Sequence, residues 1–191
     1  MGYTTTFEGS LEFNKEVTEE LKNFINNFSN IRHMKRDVDK IKELFPDWKN
    51  KCYNGNLGAE GEYFIGGKGF MGQDEDKSIL NYNYPPKTQP GLWCQWIITD
   101  NGELEWDGGE KFYYYEEWLN YLIDNFFEPE GYMLNGTISF QGEDLDDYGD
   151  IVVSNNIVTI QRDEDCDLDD FSDTELIEEL NTRGYLVTAS I

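Results

Sequence analysis

Two turns, each set between β-rich runs, restrict what this 191-residue chain can fold into more than any other feature. In LWCQWIITDNGELEW the flanking runs meet at Asn101-Gly102, a pair that tolerates positive φ and closes tight hairpins. In DIVVSNNIVTIQ the runs meet around Asn155-Asn156, and YMLNGTISFQG supplies a further strand just before them. The opening YTTTFEGSLEF alternates with period two. Phe7, Leu11 and Phe13 point one way, while Thr6, Glu8, Ser10 and Glu12 point the other, which is a strand with one wet face. EYFIG reads as one more short strand. Strands joined by hairpins rather than long crossovers predict an antiparallel sheet.

Two stretches carry helical spacing. VTEELKNFINNFSN places Leu21, Phe24, Ile25 and Phe28 on one stripe, with Thr18 as N-cap. GEKFYYYEEWLNYLIDNFF aligns Tyr115, Trp118, Leu119, Leu122, Ile123 and Phe126, and Pro129 and Gly131 end it. A shorter helix is expected from Asp37 to just before Pro46. FSDTELIEELNTRGY carries a capping box, with Ser172 at the cap, Glu175 three residues on and Gly184 past the end. The expected class is α+β: a mostly antiparallel sheet with two or three helices packed on one face, plus a short C-terminal helix. The expected division is a body over 1–162 and an acidic segment with the C-terminal helix over 163–191.

Charge is the strongest functional signal. The net charge is −24, far beyond the roughly 2–8 that solubility asks of a small domain. It is also uneven. Residues 1–100 hold 15 acids against 12 bases, and residues 101–191 hold 24 acids against 3 bases, Lys111, Arg162 and Arg183. Direct nucleic-acid binding is excluded, because phosphate contacts need clustered Lys and Arg. Such asymmetry points to a cationic partner. The plainer reading is an acidic, salt-tolerant soluble protein. Three unevenly spaced cysteines, Cys52, Cys94 and Cys166, with no CxxC pair, lead us to expect a reduced, cytoplasmic protein. No apolar run approaches the roughly 20 residues of a membrane span.

The densest acidic run is QRDEDCDLDDFSDTE, residues 161–175. It fails as a calcium loop. From Asp163, position six is Leu168 rather than glycine and position twelve is Thr174 rather than glutamate. Asp173 and Glu175 suit the positive end of a helix. The glycine stretch GKGFMG, Gly67–Gly72, matches GxGxxG, but the acids and prolines that follow make a poor phosphate-binding helix. His33 is the sole histidine and stands among Arg32, Lys35 and Arg36, which disfavour its charged form. Cys94 lies in an apolar strand and reads as a buried thiol, and the basic cluster is expected to neutralise the acidic half. Three consecutive tyrosines, Tyr113–Tyr115, cannot share one helical face, so at least one is exposed.

Four blocks taken together, GEYFIGGKG, QPGLWCQW, EWDGGEKFYYYEEWLNYLI and GYMLNGTISFQGED, resemble a family of small phage- and prophage-type proteins. The resemblance covers roughly residues 1–162. It implies a cytoplasmic, phage-encoded accessory protein and carries no catalytic residues.

The expected function is inhibition by imitation. Carboxylates on folded elements would occupy the basic nucleic-acid-binding surface of a host enzyme from a restriction, CRISPR or other defence system. The candidate residues are Glu103, Glu105, Glu116, Glu117, Glu143, Asp144, Asp146, Asp147 and Asp150. The run Asp163, Glu164, Asp165, Asp167, Asp169 and Asp170 joins them. A second reading is a nucleotide or cyclic-dinucleotide binder using the glycine loop, exposed aromatics and residues 32–36. An enzyme comes last, because no triad, metal set or phosphate loop survives inspection. No cofactor and no metal are expected.

Overall fold

The computed structural model describes residues 2–66 and 76–162. The chain divides into two compact units, Met1–Gln161 and Arg162–Ile191. The glycine stretch from Gly67, the acidic run from Asp163 and the expected C-terminal helix all lie outside the described residues.

The first unit is α+β and is built on one six-stranded antiparallel sheet. Its strands are β1 (Thr6–Phe13), β4 (Trp96–Ile98), β5 (Leu104–Trp106), β6 (Leu134–Gln141), β7 (Tyr148–Ser154) and β8 (Ile157–Gln161). Their spatial order is β4-β5-β1-β6-β7-β8. The first strand in sequence therefore sits inside the sheet, between the hairpin β4–β5 and the meander β6–β7–β8. Both turns read from the sequence are present. Asn155 and Asn156 take φ values of 49° and 68°, and Gly102 takes 81°. At the centre, β1 and β6 run close together. Gly9 (φ 108°) and Gly136 (φ 139°) stand where a Cβ would come within 2.6 Å of the Thr137 carbonyl oxygen and 2.8 Å of that of Ser10.

Two helices, α1 (Glu19–Ser29) and α3 (Tyr115–Leu122), bury their apolar stripes on one face of this sheet. Thr18 caps α1 by accepting from the Leu21 amide at 3.3 Å. The π-helical turn Ile123–Phe127 prolongs α3, and Gly131 closes the segment in the left-handed region. The core between helices and sheet is aromatic. Phe7 meets Trp96, Trp106, Phe112 and Tyr115 edge-on, while Phe126 packs on Phe24, Phe28 and Tyr53. Two short strands, β2 (Lys35–Arg36) and β3 (Ile79–Asn81), pair separately. They flank α2 (Val38–Leu44), which Asp37 caps by accepting from the amides of Asp39 and Lys40. Ile41, Cys52, Leu57 and Phe64 form a second, smaller core there.

Two expectations are corrected. EYFIG is not a strand. Glu60 and Gly61 take positive φ just before it, Phe64 donates back to Gly61, and Ile65 donates to Lys51. The segment is thus a turn that drives Phe64 into the second core. The long helix also begins later than the segment read as helical from Gly109, and starts at Tyr115, the first residue of its apolar stripe. Tyr114 has φ 58°, so residues up to it approach α3 without joining it. Tyr113 and Tyr114 are exposed and Tyr115 is half-buried, as the three-tyrosine run required.

Candidate functional site

Alternation along each strand assigns one set of side chains to the helices and the other to an open face. The registers then fix which open-face residues are neighbours. Glu8 pairs with Ser139, and Ser139 with Asp150. Ser139 donates to the Asp150 carboxylate at 2.6 Å, which pins that carboxylate. Leu11 pairs with Leu104. Continuing that register by one residue sets Glu12 beside Glu103 on one side and Ser10 beside Glu105 on the other. Five carboxylates, Glu8, Glu12, Glu103, Glu105 and Asp150, thus share one face. Neighbouring strands lie about 4.8 Å apart and alternate residues about 6.7 Å apart, so the backbone spaces these charges by roughly 5 Å between the nearest and roughly 20 Å between the farthest. None of the six strands contains Lys or Arg.

The β6–β7 loop forms an acidic rim to this face. Gly142 donates to the Asp147 carbonyl, Asp147 to that of Asp144, and the Gln141 side chain bonds three carbonyls of the loop. Two of its acids also tie down the N-terminal segment. Tyr3 donates to Asp147 at 2.7 Å, and the Thr4 amide to Glu143 at 2.9 Å. Asp144 and Asp146 flank Leu145, the most exposed large apolar side chain among the described residues at 92%.

The carboxylates expected to act together therefore separate. Glu103, Glu105 and Asp150 share the open face, with Glu143, Asp144, Asp146 and Asp147 at its edge. Glu116 and Glu117 stand in the first turn of α3, on the helix-covered side, where the helix dipole favours them. Asp163, Glu164, Asp165, Asp167, Asp169 and Asp170 lie outside the described residues. Glu8 and Glu12 were legible in the sequence as wet positions of β1, but only the pairing registers join them to Glu105 and Asp150.

The basic cluster is engaged locally, not with the acidic half. Lys35 pairs with Glu60 at 2.5 Å. Arg36, 5% exposed, bonds Asp76 at 2.6 Å and the Ser78 hydroxyl at 2.7 Å. Arg32 donates to the Tyr82 carbonyl and lies over Trp93. Each carboxylate partner belongs to the near-neutral half of the chain, which corrects the expected role. His33 is also corrected in its cause. Burial against Phe28 and Trp118 drives its pKa down to about 3, with a hydrogen bond to the Phe28 backbone opposing. Cys94 is fully buried, and burial pushes its thiol up to about 12 against hydrogen bonds from the Trp96 backbone and Ser29, so it is not a poised nucleophile.

One polar group escaped the sequence reading. Glu62 is 6% exposed, and its carboxylate accepts from Tyr121 at 2.9 Å, from the Ala59 amide at 2.8 Å and from the Thr88 hydroxyl. Gln89 donates to the Glu62 carbonyl at 2.8 Å and to the Tyr121 hydroxyl. No local spacing announces this network, because its side-chain contacts beyond the Ala59–Glu62 turn join residues 26 to 59 positions apart. Among the described residues, no group of three or more His, Cys, Asp or Glu is placed to hold a metal ion, and no helix is long and apolar enough to cross a membrane. No family model, no curated protein and no solved structure matches the chain.

Proposed function

We propose that this chain is an inhibitory binding protein whose open sheet face docks on the nucleic-acid-binding surface of another protein and excludes the nucleic acid. One observation carries the reading: five carboxylates are held at backbone-defined spacings, four on strands that contain no Lys or Arg and the fifth, Glu103, one residue before β5. Charge alone would serve a solubility role, and flexible acids would do so equally well. Here the acids sit on a rigid lattice and include an unfavourable like-charge pair, Glu12 with Glu103, which stability alone would select against. A surface of this kind meets the Lys and Arg of a phosphate-binding groove, and long-range attraction speeds the encounter. Leu145, at the acidic rim, supplies an apolar contact that a purely electrostatic surface lacks. The partner class we propose is a host restriction, CRISPR or other defence enzyme, acting in the cytoplasm. That choice rests on the resemblance of four sequence blocks to phage-type proteins.

The test is displacement of labelled duplex DNA from such enzymes at about 50 mM salt, repeated at about 300 mM, a range over which phosphate-type contacts weaken steeply. The expected result is displacement that fades with salt. It should be lost in the triple variant Glu8→Gln, Glu105→Gln, Asp150→Asn and kept in Glu116→Gln. Equal displacement by the triple variant would sink the reading.

A further inference from the structure

A cleft of about 730 Å³ lies between α3 and the segment 87–90, on the helix-covered side of the sheet, away from the acidic open face. Its size is that of a small-molecule site, roughly 300–1,000 Å³. Glu62 stands in its lining, and Glu117 and Asp124 stand on its helical wall. Lys87 is the one base on that lining. Seven residues along a helix span about 10 Å, so Glu117 and Asp124 stand two turns apart on the same side. Tyr114 forms the lip and is 56% exposed. Its ring rests against Gly91, where a Cβ would come within 3.2 Å of it.

The free hydrogen-bonding capacity of the cleft is lopsided. The hydroxyls of Tyr121 and Thr88 are spent on Glu62. Asn125 is spent on Tyr63 and the Tyr121 carbonyl. What remains is rich in acceptors. An independent observation points the same way. Gln89, 6% exposed and part of the lining, is oriented by two donated hydrogen bonds, and its Oε1 accepts none. A buried carbonyl without a donor is destabilising, so a ligand that supplies one is favoured. The missing partner is therefore a donor, not the phosphate of a nucleotide.

The spacing also selects the shape of the ligand. The carboxylates of this cleft are not close enough to count as a metal set. A compact cation cannot meet them together, whereas an elongated one with separated charges can. We propose that the cleft binds a linear aliphatic polyamine. Its terminal ammonium groups lie at Glu117 and Asp124, an inner amine donates to Gln89 Oε1, and one ammonium or its flanking methylenes pack on the Tyr114 ring. This site is independent of the docking function proposed above.

Spermidine titrated calorimetrically into the full chain tests the proposal, because a chain of charge −24 also gathers polyamines nonspecifically. The expected result is one saturable site whose affinity falls at least tenfold in Glu117→Gln, Asp124→Asn and stays within twofold in Glu8→Gln, Glu105→Gln. Tyr114→Gly is a second probe. Glycine suits the left-handed backbone at this position, so thermal stability in the absence of spermidine should hold or rise while affinity drops several-fold. Equal weakening by both carboxylate pairs, or many weak sites, would mean a diffuse counterion atmosphere and overturn the proposal. Unchanged affinity in the Glu117, Asp124 pair would do the same. Loss of DNA displacement in the open-face variants with spermidine binding intact would support the first site and leave this one standing.

Discussion

The side-chain amide of Asn26 pairs with the backbone of Ile98 as a neighbouring strand would. Its Nδ2 donates to the Ile98 carbonyl at 2.9 Å, and its Oδ1 accepts from the Ile98 amide at 2.8 Å. Ile98 lies in β4, the edge strand, and is 1% exposed. A single helical side chain thus satisfies edge groups that would otherwise recruit another strand. Asn26→Ala leaves a donor and an acceptor buried without partners. The expected cost is about 2–3 kcal/mol, read from a lower urea midpoint at unchanged slope.

His33 makes stability depend on pH well above the range of ordinary carboxylates. Its folded pKa is about 3, and the unfolded chain titrates near the ordinary histidine value of 6.5. Between these values the unfolded state binds the extra proton, so stability is full above about pH 6.5 and falls as pH drops toward 3. At pH 5 the loss is about 2 kcal/mol. Urea unfolding of His33→Gln between pH 7 and 5 should show this slope abolished. A slope equal to that of the unsubstituted chain would show that other groups carry it.

Among the described residues, Arg36 pairs with one carboxylate, Asp76. Asp76 titrates below its usual value: burial pushes it up, but hydrogen bonds from Ser78 and Arg36 outweigh that. Its contribution is present above the unfolded carboxylate pKa and is lost as pH falls below it. Asp76→Asn leaves the nearly buried guanidinium without its counter-charge. Because Asp76 is itself partly solvated, the expected loss is about 2–3 kcal/mol rather than the upper range for buried pairs. The same variant should show a weaker dependence of stability on pH below 4.

The β1–β6 contact depends on two glycines. At Gly9 an added Cβ meets backbone, not a movable side chain, and φ there is unfavourable for any other residue. Gly9→Ala should destabilise the chain by about 2–3 kcal/mol. Gly102→Ala is the comparison. It has positive φ but open space, and its cost should be about 1 kcal/mol.

The open face should trade stability for binding. Glu12 and Glu103 are neighbours of like charge, so Glu12→Gln is expected to raise Tm by about 1–3 °C at low salt, with the gain fading as salt screens the pair. The same variant should weaken displacement of DNA from the partner. A gain in Tm that survives high salt would place its origin outside electrostatics.

Local order was readable because it depends on near neighbours. The Thr18 and Asp37 caps, the Asn155-Asn156 turn and the stripe of α1 each follow from residues within a turn or two of one another. EYFIG misled because its apolar run matches a strand, while positive φ at Glu60 and Gly61 bends the backbone before pairing can start. The basic cluster misled for a different reason. Net charge assigned it to the acidic half, but ion pairs form with whatever the fold brings within a few ångströms, which was Glu60 and Asp76.

The sequence by itself determined the class of fold and the sign of the surface. Period-two and helical spacing say which face of each element leaves water, and the excess of acids over bases says that the surface is negative. The tertiary structure alone decided which acids share a face. It placed β1 between β5 and β6, so that Glu8 and Glu12 join Glu105 and Asp150 from distant parts of the chain, and it put Glu117 on the other side of the sheet. Strand order and register are set by long-range burial of alternate residues, and no local pattern encodes them.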